Sequence, residues 1–306
     1  INGKQVDLCG ALRQMLFEPR PPYTVTMNMS ACPRPIRLGV VRFLNTQPII
    51  AGLDQCADVA LKETVPSELI GLLEQDVVDV ALCSSIDYQH ATVPLVVLPA
   101  PPLGCRGATQ TVRLYSSQPF DDIETVHCDT DSHTSVVLLQ VLWQEMHGRA
   151  LEVVPFDASG APKQASWPDA VLLIGDKVVS GAPPADLYPH QIDLGEAWHE
   201  LTGLPFLFAV WMARAEVDPM LARTAAALLD RQFRYNRMHS EGLIARESQR
   251  RSWPTELARD YLASGMRYEF GPLQRQGLER FHALAAQHGL VESPRSLEFT
   301  SAPMGA

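Results

Sequence analysis

The sequence has no C-x-x-C pair and no close grouping of histidines. Its six cysteines, Cys9, Cys32, Cys56, Cys83, Cys105 and Cys128, each stand more than twenty residues from the next, and the nine histidines are scattered. The ligand spacing that zinc requires is missing, so no metal site is expected. No apolar run approaches the roughly 18 residues needed to span a bilayer, and membrane insertion is not expected either. Positive charge is also short: 25 Lys and Arg face 35 Asp and Glu, a net charge of −10. Such a field disfavours nucleic acid, whose phosphates seek a basic surface. Neither G-x-G-x-x-G, nor G-x-x-x-x-G-K-[ST], nor G-x-S-x-G occurs. Nucleotide chemistry and serine hydrolysis are disfavoured accordingly.

What is present is an ordinary globular composition, 46% hydrophobic and 20% charged over 306 residues, long enough for two lobes. Residues 1–35 are read as an N-terminal extension with a Pro-rich linker at Pro19–Pro22, and Met27 or Met29 would be natural starts for the folded part. This segment has no signal-type apolar stretch. Cys83 and Cys128 lie in apolar runs, where a reduced, buried thiol is usual. A cytoplasmic location is the expectation that follows.

Short β-type runs alternate with helical patterns. Strands are predicted at Ile36–Val41, Val59–Glu63, Val77–Cys83, Pro94–Leu98, Thr111–Ser116, Glu124–Cys128, Leu151–Val154, Ala170–Ile174 and Phe206–Met212. Helices are predicted at Pro48–Leu53, Pro66–Glu74, Thr134–His147, Gly195–Leu201, Pro219–His239 and Leu273–Gln287, and the chain beyond about residue 218 reads as essentially helical. The alternation argues an α/β fold with mostly parallel sheets.

Ligands in open α/β sheets bind beyond the carboxyl ends of strands, which singles out a few segments. Asn45-Thr46-Gln47 follows the first strand and precedes Pro48; it is either a helix-capping turn or a ligand contact. Ser84 and Ser85 follow the third strand, where they could cap a helix, offer donors to a carboxylate, or both. Asp129-Thr130-Asp131-Ser132-His133-Thr134-Ser135 puts more hydroxyls at one helix start than capping needs. Arg106-Gly107-Ala108-Thr109-Gln110-Thr111 supplies a cation and hydroxyls ahead of another strand. Neutral polar groups and small residues of this kind suit a small organic anion.

Taken together these segments resemble a known family. RFLNTQP is similar to the (S/R)-(Y/F)-L-N-(S/T)-x-P motif of the chorismate dehydratases of the futalosine route to menaquinone. The likeness continues through VPSELIGLLEQDVVDVALCSSIDY, CRGATQTVRLYS, DTDSHTSVVLLQVL, DAVLLIGD, DLGEAWHELTGLPFLFAVW and YLASGMRYEFGPLQRQGLERFHALA, in order, over about residues 36–290. It implies a two-lobed fold like a type II periplasmic binding protein, with the ligand in the cleft. Lobe 1 would comprise 36–116 and 206–292, and lobe 2 would comprise 117–205. It also implies the loss of water from chorismate, with chorismate as partner and no cofactor or metal. The oligomeric state is left open.

Residue by residue, the resemblance makes Asn45 and Ser85 catalytic candidates. Arg42, Thr46, Ser84, Arg106, Thr111, Thr134 and Ser135 become substrate-binding candidates, with the choice between Ser84 and Ser85 open. Asp176 and Trp211 are given structural roles. Cys83, Cys105 and His133 depart from the family pattern, and His133 stands where an arginine is more familiar. No matched residue titrates usefully near neutrality, so the proton acceptor is either the substrate's own enolpyruvyl carboxylate or, alternatively, His133 or Asp87. Two other classes stay in view: a non-catalytic anion-binding protein of the same fold, and the dihydroxynaphthoate synthase of the same pathway, which lacks the L-N-T-x-P segment.

Overall fold

The computed structural model describes residues 34–158 and 167–300. Most of the expected N-terminal extension and linker therefore lies outside the described residues. The strands, in chain order, are β1 (Ile36–Val41), β2 (Val59–Thr64), β3 (Val80–Ser84), β4 (Leu95–Val97), β5 (Leu103–Cys105) and β6 (Val112–Ser116). They continue with β7 (Thr125–Asp129), β8 (Glu152–Phe156), β9 (Ala170–Ile174), β10 (His190–Asp193) and β11 (Phe206–Arg214).

Two sheets result. The first runs β2-β1-β3-β11-β4, with β5 also paired to β11; the second runs β10-β6-β9-β7-β8. The expectation of mostly parallel sheets needs correction, because both are mixed. β1 is parallel to β2 and β3, and β7 is parallel to β8 and β9. β11, however, returns antiparallel to β3, β4 and β5, and β6 runs antiparallel to β9 and β10. The antiparallel strands are those that carry the chain between sheets, entering from the opposite end. Val112–Ser116, expected at the end of the first lobe, pairs instead in the second sheet. The outward crossing therefore lies between Cys105 and Val112, and the return runs through the helix Leu194–Thr202.

The two crossings are tied together by Asp193. Its Oδ1 accepts from the backbone N–H groups of Gly195 and Glu196, capping that helix, and also from Thr109 N–H at 2.9 Å. Its Oδ2 accepts from Gln110 N–H at 2.7 Å. A Cβ on Gly195 would lie 2.6 Å from Cys105 Sγ and 2.8 Å from Gly107 O, so only glycine lets the helix start press on the crossover loop. One carboxylate thus fixes the loop that presents Thr109 and Thr111.

Each sheet has its own apolar packing. Trp198, Phe206 and Phe281 meet edge to face beside β11, and Trp211 is fully buried with its indole N–H on Pro101 O at 2.8 Å. At the rim of β1, buried Asp79 accepts from Arg34 Nη1 and Nη2 and from Arg37 Nη2, all at 2.7 Å, and from Arg37 N–H at 2.9 Å. Burial alone would raise this carboxyl, but the donors from Arg34 and Arg37 outweigh it and hold the group well below the usual carboxylate range. A depressed pKa stabilises the fold above the unfolded value and stops doing so once the carboxylate protonates. Asp79→Asn should therefore cost about 1–2 kcal/mol at neutral pH, the arginines being partly exposed. The mutant and parent stabilities should converge as pH falls below about 4, read by urea unfolding at a series of pH values. A constant difference down to strongly acid pH would show that the charge is not the cause.

Candidate functional site

β1 stops before Arg42 and Phe43, and the chain enters a single 3-10 turn, Leu44–Thr46, followed by the short helix Gln47–Ile50 with Pro48 in its first turn. No side chain caps either element. Asn45 is therefore not a capping residue here. Its Oδ1 accepts from Thr46 Oγ1 at 3.3 Å, and its backbone carbonyl accepts from the Tyr268 hydroxyl at 2.9 Å. The turn is also held from the second sheet, where Asp176 Oδ1 accepts from Leu44 N–H at 3.4 Å. Gly175 adopts φ +63°, and a Cβ there would lie 3.0 Å from the Phe43 ring. Glycine is needed both for that backbone and for the close approach of the two segments.

The space beside this turn is a cleft of about 480 Å³, part of it open to solvent. Asn45, Ser84, Thr109, Thr111, Ser132 and Ser135 give it polar groups; Phe43, Leu103, Phe208 and Met266 give it apolar walls. Strands from both sheets contribute. Among the described residues lining it, none is charged and none titrates near neutral pH. The hydroxyls of Ser84 and Thr109 are buried and have no hydrogen-bond partner within the protein. Buried polar atoms are seldom left unpaired, so these two are available to a ligand.

The serine pair divides. Ser84 ends β3 and faces the cleft, whereas Ser85 turns away and its Oγ lies 3.3 Å from Thr134 Oγ1. Thr134 Oγ1 also accepts from Ile86 N–H at 3.2 Å. Ser85 is held further by His282, whose Nε2–H donates to the Ser85 carbonyl at 3.0 Å while Gln89 Nε2 donates to its Nδ1. Burial pushes the His282 pKa down to about 4, so it stays neutral and keeps that geometry. Ser85 and Thr134 are thus joined as a strut beneath the site.

The helix His133–His147 is capped by Ser132, whose Oγ accepts from Ser135 N–H at 3.3 Å and lies 3.0 Å from Ser135 Oγ. Both serines face the cleft at the positive end of a four-turn helix, which favours an anion. Lys177 does not supply free charge, because its Nζ is bound to Asp129 at 2.6 Å and Asp131 at 2.7 Å.

The remaining candidates fall elsewhere. Arg42 and Arg106 are exposed and do not line the cleft, and Thr46 is buried behind the turn. His133 pairs with Asp87 at 2.7 Å, and both face a separate apolar hollow beside Ile70, Val136 and Val137 that meets the cleft only at Ser132. The hydrogen bond to Asp87 raises the His133 pKa. Thr109 and Ser132 also line the cleft; a loop threonine and a capping serine carry no sequence signal that separates them from ordinary turn residues. Among the described residues, no three His, Cys, Asp or Glu side chains converge as a metal site.

Known proteins share this chain's sequence pattern and fold. The family described as menaquinone biosynthesis matches residues 36–287. A chorismate dehydratase from Thermus thermophilus is 29% identical over 263 residues, covering 81% of this chain and 94% of that protein. Among solved structures, a protein from Archaeoglobus fulgidus superposes with a TM-score of 0.69 at 14% identity, covering 84% of this chain and 98% of its own. A Candida albicans protein with the generic periplasmic binding protein fold gives 0.64 at 11% identity, covering 89% and 98%. At such identities the last two show the fold alone: two α/β lobes of the periplasmic-binding-protein type.

Proposed function

The chain belongs to the menaquinone-biosynthesis family, and on that premise we propose that it is a chorismate dehydratase, a hydro-lyase converting chorismate to 3-[(1-carboxyvinyl)oxy]benzoate. The observation that carries this reading is the cleft itself. It pairs apolar walls with uncharged donors, two of them without partners, on a chain similar to a chorismate dehydratase over most of its length.

The reaction asks little of side-chain acids or bases. The ring carbon bearing the enol ether loses a proton, the neighbouring C–O bond breaks with its electron pair on oxygen, and the hydroxyl leaves as water. Aromaticity of the product drives the step, so the protein has mainly to orient the ring and the leaving group. Ser132, Ser135 and the helix start beside them suit one carboxylate; Asn45 and Ser84 suit the leaving hydroxyl. With no titratable side chain in the lining, the enolpyruvyl carboxylate is the base this reading favours over His133 or Asp87. A biosynthetic role on a small soluble substrate fits a cytoplasmic enzyme, and among the described residues no helix is long and apolar enough to cross a membrane.

Purified protein incubated with chorismate should yield the aromatic enol ether, detected by chromatography and mass, without added cofactor. Binding of chorismate with no turnover would instead leave an anion-binding protein of this fold.

A further inference from the structure

We propose that Tyr261 is a positioning residue for the dehydration, holding Thr111 through its hydroxyl. This rests on the dehydratase reading and extends it to a residue outside the cleft lining. Tyr261 opens a single π-helical turn, Tyr261–Gly265, at the end of the helix Thr255–Asp260. Such turns shift a side chain off the regular helical face and recur at functional sites.

The geometry is specific. Tyr261 is 1% exposed, and its hydroxyl lies 2.9 Å from Thr111 Oγ1. Thr111 lines the cleft beside the start of β6, so a single buried hydroxyl fixes this polar group from behind. The ring is clamped, stacked on Trp253 at 5.2 Å and 28°, with the Gly265 Cα close behind, where a Cβ would lie 3.2 Å from it. Burial raises the phenol pKa far above neutrality, so the hydroxyl keeps its proton and its donor role.

Tyr261→Phe removes the hydroxyl and keeps the ring in its clamp. The expected result is a loss of about 10²-fold in kcat with KM little changed and a melting temperature within a few degrees of the parent. Thr111→Val should show a comparable loss, and the double variant should lose scarcely more than Thr111→Val alone, because the two hydroxyls act as one unit. Wild-type kcat in Tyr261→Phe, or losses that multiply in the double variant, would overturn the inference while leaving the dehydratase reading intact. A parent protein that neither binds nor converts chorismate would overturn that reading, and this inference with it.

Discussion

Asn45→Ala and Asn45→Asp are both expected to lose about 10²–10³ in kcat while remaining folded. The turn gives Asn45 no capping duty, so neither change removes a helix cap. Aspartate keeps the size and backbone tolerance of asparagine but removes the amide N–H donors and adds negative charge beside a dianionic substrate. If Asn45 were only a turn residue, aspartate would substitute well, since both residues tolerate the same backbone. Near-parental turnover in Asn45→Asp, with chorismate saturating, would remove Asn45 from the site.

Ser84→Ala should lose about 10²-fold in kcat with little change in melting temperature, and Ser85→Ala should do the reverse. The Ser84 hydroxyl has no protein partner to lose, so its deletion costs the fold nothing and the bound substrate a donor. Ser85 is fully buried against Thr134, and removing its hydroxyl should cost about 1 kcal/mol of stability with turnover largely kept. Steady-state kinetics and urea unfolding on the two variants separate these roles. The opposite pattern would return Ser85 to the catalytic position that the family resemblance suggests.

The two adjacent serines show where sequence reading reaches its end. The turn after β1 was legible, because a buried strand that stops on Phe-Leu-Asn-Thr before a proline has few other uses. The strand cores of both sheets were legible for the same reason, as continuous apolar runs. Ser84 and Ser85 were not separable, because adjacent strand residues point to opposite sides and β3 is buried on both faces, leaving no polar alternation to set the phase. The short strands β5 and β10 escaped notice: Leu103–Cys105 has three residues, and His190–Asp193 is mostly polar and exists through its pairing with β6. Arg106 stood out as a cation and Arg42 through the family resemblance, yet the cleft is furnished with neutral donors and a helix start instead. Tyr261 was out of reach for a different cause. A π turn breaks the helical period on which residue placement depends, and its partner Thr111 is distant in the chain.

If this cleft removes the ring hydroxyl of chorismate as water and leaves the enolpyruvyl group in place, a heavy-oxygen label placed in that hydroxyl should follow the water. All of the label is expected in water and none in the aromatic product, which keeps its enol ether and both carboxylates. Label retained on the aromatic ring, with pyruvate released, would contradict it.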